Sequence, residues 1–142
     1  FVEEGKDDQE NQYMLSLEEK FFQMLEIPYQ VLSICSGDLG FNAARKYDIE
    51  AWMPREQAYK EVVSCSNCTS YQAVRSNIRY RLPDGEKEFA HTLNSTAIAI
   101  PRTIRAIVEN FQTKDGDIKI PKPLQNYMGG LTEISTNKSK PK

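Results

Sequence analysis

An α+β fold, an antiparallel β-sheet with flanking helices, is what the sequence predicts, and three observations carry it. Short stretches alternate apolar and polar residues with the period of a strand, at residues 48–53, 59–64 and 75–81. A later stretch repeats instead with the period of a helix, its apolar positions being Ile100, Ile104, Ile107, Val108 and Phe111. The segments between them carry turn residues, such as Pro83-Asp84-Gly85 and Lys114-Asp115-Gly116-Asp117. At 142 residues, 39% hydrophobic and 27% charged, the chain is long enough for one domain with a real core.

Taken in order, residues 1–15 lack a hydrophobic period and read as a leader or loop. Ser16 and Glu19 fit a capping box, which starts a helix whose stripe is Leu17, Phe21, Met24 and Leu25. Pro28 ends it. Residues 29–35 are β-rich and read as a buried strand, followed by turn chemistry at residues 36–40 and a short helix at 42–46. In the next strand Ile49, Ala51 and Met53 share one face, Asp48, Glu50 and Trp52 the other. The following one places Tyr59, Glu61 and Val63 together, and strict alternation sends Glu61 and Ser64 to opposite faces. A turn of helix near Tyr71, Gln72 and Ala73 precedes a hairpin of residues 75–81 with 88–93. The stretch 91–112 then passes from strand to helix. The body of the domain is residues 16–130, and residues 131–142 read as a disordered tail.

Charge and cysteine content narrow the function. A formal net charge of −2 argues against a surface that coats nucleic acid generically, but allows a local basic groove. No apolar run approaches the roughly 20 residues that span a bilayer, so no membrane partner is expected. The acidic N-terminus is unlike a signal peptide, and the start at Phe1 reads as a fragment, a processed product or a trimmed chain. Cys35, Cys65 and Cys68 form no disulfide framework, which suggests a reducing, cytoplasmic setting. The lone CxxC lacks two further zinc ligands, so no structural zinc is expected and both thiols read as buried or half-buried. No Walker A or dinucleotide loop occurs.

Four features could carry chemistry. Glu61, within an apolar strand, could hold a metal that bridges phosphates, or a ligand ammonium; an exposed-face salt bridge is the plainer explanation. Arg75, Arg79 and Arg81 could line a groove for phosphates or RNA, or pair with Glu86 and Glu88 across the hairpin. His91, the only histidine, reads as a hydrogen-bonding strand residue. Asn94, Ser95, Thr96 and Arg102 cluster where strand becomes helix. Free N–H groups and a guanidinium there suit an anion, although a capped helix start looks much the same.

Several blocks resemble the C-terminal part of the catalytic domain of seryl-tRNA synthetases, class II aminoacyl-tRNA synthetases. They are ICSGDLGFNAARKYDIEAWMP, YKEVVSCSNCTSYQAVR, HTLNSTAIAIPRTIRAIVENFQ and the closing IPKPLQNYM. The resemblance implies a class II antiparallel sheet that activates serine with ATP and Mg²⁺ to seryl-adenylate, then transfers it to the 3′ end of serine tRNA. It identifies residues 91–112 with motif 3 and Arg102 with the arginine that clamps the ATP γ-phosphate. Glu61, Val62, Val63 and Ser64 match the ATP-contacting segment, with Glu61 and Ser64 toward the metal. Asn94 and Thr96 match the serine pocket. Val74 stands where the family usually has the first of two arginines. Motifs 1 and 2 are not in this sequence, so the homodimer of the full-length enzyme and half of the ATP clamp lie elsewhere, and these 142 residues alone are expected to be inactive. A truncated or split paralogue acting as a non-catalytic binding module is the alternative.

Overall fold

A computed structural model describes residues 1–135. Its centre is a four-stranded antiparallel sheet in the order β1-β2-β3-β6, from Tyr29–Ser33, Arg45–Met53, Ala58–Asn67 and Leu93–Ser95. A short hairpin, β4 (Arg79–Arg81) with β5 (Lys87–Phe89), stands apart from it, as does the pair β7 (Ile118–Lys119) and β8 (Glu133–Ile134). Helices α1 (Asp7–Met24) and α3 (Ile100–Phe111) pack on the sheet. Short helices α2 (Tyr71–Ser76) and α4 (Lys122–Gln125) sit in the connections. Among the described residues no helix is long and apolar enough to cross a membrane.

Helix α1 departs most from expectation. It begins at Asp7 rather than Ser16, and Ser16 donates to the Tyr13 carbonyl within the helix instead of capping it. Asp7, Asp8 and Glu10 fill the first turn, where carboxylates complement the helix dipole. The buried face is Asp7, Asn11, Leu15, Glu18 and Phe22, whereas Leu17, Phe21 and Met24 of the apolar stripe are exposed. Residues 1–15 are therefore tied in. Val2 bridges His91, and the Asp7 carboxylate accepts from the Asn67 amide at 2.6 Å and stands 3.0 Å from His91 Nδ1.

Burial alone would push the Asp7 carboxyl up, but the Asn67 hydrogen bond and the neighbouring His91 outweigh it and hold it below the usual range. A depressed carboxyl contributes stability that is present above the unfolded value near 3.8 and is lost as pH falls through the folded value. Asp7→Asn should therefore cost about 1–3 kcal/mol at pH 7, and the gap between variant and parent should shrink toward pH 3. Urea titrations at both pH values measure this.

Other expectations shift locally. Strand β1 is an edge strand, half exposed, because only β2 pairs with it. The short helix expected at residues 42–46 is absent, and β2 already starts at Arg45. Arg75 closes α2 rather than lying on a hairpin strand, and Asn77 turns the chain with φ +52. The hairpin pairs Arg79 with Phe89 and Arg81 with Lys87, so the arginines do not face Glu86 or Glu88 across the strands, and Glu88 accepts from the Tyr80 hydroxyl instead. Strand β8 occupies part of the segment read as tail; residues 136–142 lie outside the described residues.

On α3 the stripe Ile100, Ile104 and Val108 is exposed, and Thr103 and Ala106 are the buried residues. Small side chains let the helix approach β2, while Ile107 and Phe111 pack at the margin of the core. The core proper is formed by Leu15, Phe22, Leu25, Ile27, Ile49, Ala51, Met53, Val62, Val63 and Ala106.

Candidate active site

Strand register decides which side chains share a face. Residues paired directly across strands point the same way, so Asp48 with Ser64, Glu50 with Glu61, and Ser66 with Asn94 define one face. The opposite face carries Ile49, Ala51, Met53 and Cys65 and is covered by α1 and α3. Glu61 and Ser64 thus lie on the same face, contrary to strict alternation. The reason is a β-bulge: Ile49 pairs with Val63 but Glu50 pairs with Glu61, so Val62 is the extra residue. Val62 and Val63 both enter the core, each 1% exposed. Strand β3 also continues to Asn67, so Ser64 lies within it rather than at its end.

The irregular strand also anchors the start of α3. The Val62 carbonyl accepts from Ala99 N–H at 3.2 Å, and the Glu61 carbonyl accepts from Arg102 Nη1 at 3.0 Å. Thr96 N–H reaches the Ser64 carbonyl at 3.3 Å, extending the pairing of β6 with β3 past Ser95. Four of the residues singled out in the sequence, Glu61, Ser64, Thr96 and Arg102, are thereby joined through backbone contacts. Asn94 is set beside them by register.

Arg102 and Arg105 lie one helical turn apart but differ in commitment. Arg105 donates to Glu56 at 2.5 Å and to Glu109 at 2.7 Å; its pKa is raised by those bonds, and both carboxyls are lowered in return. Arg102 has the Glu61 carbonyl and, at 3.8 Å, the Glu61 carboxylate. Both side chains of that looser pair are about half exposed, so the attraction is well screened. Arg102 is therefore the arginine able to turn its planar fork to an incoming phosphate.

Serine-pocket candidates Asn94 and Thr96 are exposed, on the open face. Between them Ser95 points back to the core. It bonds to the buried Glu18 of α1 and accepts from Ala97 N–H. Burial pushes the Glu18 carboxyl up, against the Ser95 bond. Ala97 is held at φ +42, a left-handed conformation costly for alanine, at the point where the chain leaves the sheet for α3. Neither the Glu18 support nor the Ala97 turn leaves a sequence signal, because one is remote and the other carries no glycine.

The two thiols of the CxxC segment are fully buried. Cys65 Sγ accepts from Asn11, and Cys68 Sγ accepts from Asn94 Nδ2 at 3.6 Å. Burial, helped by Glu18, pushes Cys65 up to about 12; burial also raises Cys68. A thiol reagent at pH 8 should modify Cys35, the exposed cysteine, and reach Cys65 and Cys68 only after unfolding. Mass spectrometry of native and denatured labelling reads this directly.

Among the described residues no cluster of three or more His, Cys, Asp or Glu side chains could cage a metal ion. Glu61 and Ser64 offer instead one carboxylate and one hydroxyl on a shared open face. That hard-oxygen set fits Mg²⁺ carried with nucleotide phosphates, which needs only one or two protein ligands.

Residues 1–111 match the family model described as tRNA synthetase class II core domain (G, H, P, S and T). A serine–tRNA ligase of Dictyoglomus thermophilum is 62% identical over 128 residues, covering 90% of this chain and 30% of that protein. One from Listeria welshimeri is 52% identical over 121 residues, 84% of this chain and 28% of that one. Among solved structures, seryl-tRNA synthetase from Pyrococcus horikoshii complexed with ATP superposes with a TM-score of 0.90 at 50% identity, covering 94% of this chain and 30% of that chain. Cytoplasmic serine–tRNA ligase from Naegleria fowleri in complex with AMP gives 0.86 at 45%, covering 95% and 28%. The chain thus spans about 30% of the length of these relatives.

Proposed function

From the premise that the chain belongs to the class II tRNA synthetase core family, we propose that it is the C-terminal part of the catalytic domain of a serine–tRNA ligase. The observation that carries this reading is the bulge at Val62, which gathers Glu61 and Ser64 on the open face while its carbonyls hold the helix bearing Arg102.

In the proposed reaction the serine carboxylate attacks the α-phosphorus of ATP, giving seryl-adenylate and pyrophosphate. The terminal ribose hydroxyl of serine tRNA then attacks the seryl carbonyl and releases AMP. Arg102 binds the γ-phosphate end of ATP bidentately and steadies the charge that grows on pyrophosphate as it leaves. Glu61 and Ser64 would hold Mg²⁺, which when bound neutralises phosphate charge. Asn94 and Thr96 supply an amide and a hydroxyl to serine. A polar pocket discriminates against alanine, whose missing hydroxyl leaves those groups unpaired. In this reading the full-length protein works in the cytoplasm as a homodimer.

Serine-dependent ATP–pyrophosphate exchange tests the assignment. The full-length protein should exchange with serine and far less with alanine, while residues 1–142 alone, lacking motif 2, should stay at background. Full-length protein without serine-dependent exchange would favour instead a non-catalytic paralogue that uses this domain for binding.

A further inference from the structure

Phe41, in the loop before β2, is 88% exposed. A single exposed aromatic is ordinary, but this ring belongs to an assembly. It meets Tyr71 of α2 edge-on with centroids 5.8 Å apart, and the Arg75 guanidinium lies 3.4 Å above the Tyr71 ring. Arg75 Nη1 donates to the Tyr71 carbonyl at 2.9 Å, which fixes the stack. The same pairing recurs on the neighbouring hairpin, where Arg79 covers Phe89 at 4.0 Å. Arg79, Arg81 and Lys87 share their hairpin with Asp84, Glu86 and Glu88, whereas Arg75 enters no salt bridge among the described residues and keeps its charge for the aromatic assembly.

Its position links it to the candidate site. Asn42, next to Phe41, places its amide 4.0 Å from Cys68 Sγ, the same sulfur that Asn94 contacts. Two side-chain contacts therefore separate the residue after Phe41 from the serine-side wall. Aromatic faces beside guanidinium groups suit unpaired nucleotides, because every base has a π face and each phosphate a charge.

We propose that Phe41, Tyr71 and Arg75 form a stacking platform for an unpaired base in the single-stranded 3′ end of the acceptor RNA, with the Arg75 guanidinium beside its phosphate. This rests on the serine–tRNA ligase reading above. The platform acts in the transfer half-reaction and has no part in adenylate formation.

The test compares two reactions of the full-length protein, tRNA charging and serine-dependent ATP–pyrophosphate exchange without RNA. Phe41→Ala should lower charging kcat/KM about tenfold or more, chiefly through KM for tRNA, with exchange unchanged. Phe41→Trp should restore charging, and Arg75→Lys, which keeps charge but loses the planar face, should weaken it. Unchanged charging in Phe41→Ala would overturn the proposal. So would failure of Phe41→Trp to restore it, or a joint fall of both reactions with the melting temperature, which would show Phe41 packing against another part of the protein. Absence of exchange in the parent protein would instead remove the ligase reading on which the platform depends.

Discussion

Arg102→Ala is expected to slow serine-dependent adenylate formation by about 10²–10³-fold in the full-length protein, with little change in melting temperature. The magnitude is that of removing one preorganised charged donor from a transition state. Stability should hardly move, because the side chain is more than half exposed and makes a hydrogen bond to the Glu61 carbonyl and a loose pairing with its carboxylate. Arg105 cannot take over, since Glu56 and Glu109 already occupy its guanidinium. Arg102→Lys should recover only part of the rate, because a point charge cannot reproduce a two-pronged contact. Exchange kinetics beside thermal melting separate the roles: a large fall in melting temperature with proportionate loss of exchange would make Arg102 structural.

Phe22→Ala should cost about 3–5 kcal/mol, the largest stability effect expected from a single truncation in this domain. The ring is fully buried between α1 and the sheet, 5.8 Å from Tyr29 by centroids, and contacts the core of Ile49, Met53 and Val62 through one continuous cluster. Its neighbour Phe21 is 44% exposed, and Phe21→Ala should cost well under half as much. Urea unfolding of the two variants side by side reads the orientation of α1. A larger loss at Phe21 than at Phe22 would instead place the helix as the Leu17–Phe21–Met24 stripe suggested.

That contrast shows what was legible in the sequence and why the rest was not. The sheet strands were readable because Ile49, Ala51 and Met53 alternate cleanly with polar neighbours, and the start of α3 because a helical period begins where a strand period ends. Helix α1 was misplaced because its buried face begins with Asp7 and Asn11 and includes Glu18. These polar residues meet Asn67, His91, Cys65 and Ser95 from distant parts of the chain. Apolar periodicity cannot register partners that exist only after folding. The α3 stripe misled for a related reason: Thr103 and Ala106 were chosen by close approach rather than by hydrophobicity.

The candidate site was legible as residue types through family resemblance, but its geometry was not. Counting residues from Glu61 to Ser64 places them on opposite faces, and only the extra residue at Val62 reverses this. Bulges carry no fixed sequence mark when both residues at the bulge are ordinary core side chains, as Val62 and Val63 are. The commitment of Arg105 and the support of Ser95 by Glu18 are equally invisible before the chain is folded.

The most direct measurement of the central claim is a structure of the full-length protein with ATP, Mg²⁺ and a nonreactive serine analogue. The γ-phosphate is expected on Arg102, Mg²⁺ at the Glu61–Ser64 pair, and the serine side chain against Asn94 and Thr96, all on the open face of the sheet. Nucleotide bound away from that face, or Glu61 and Ser64 found on opposite sides of β3, would contradict it.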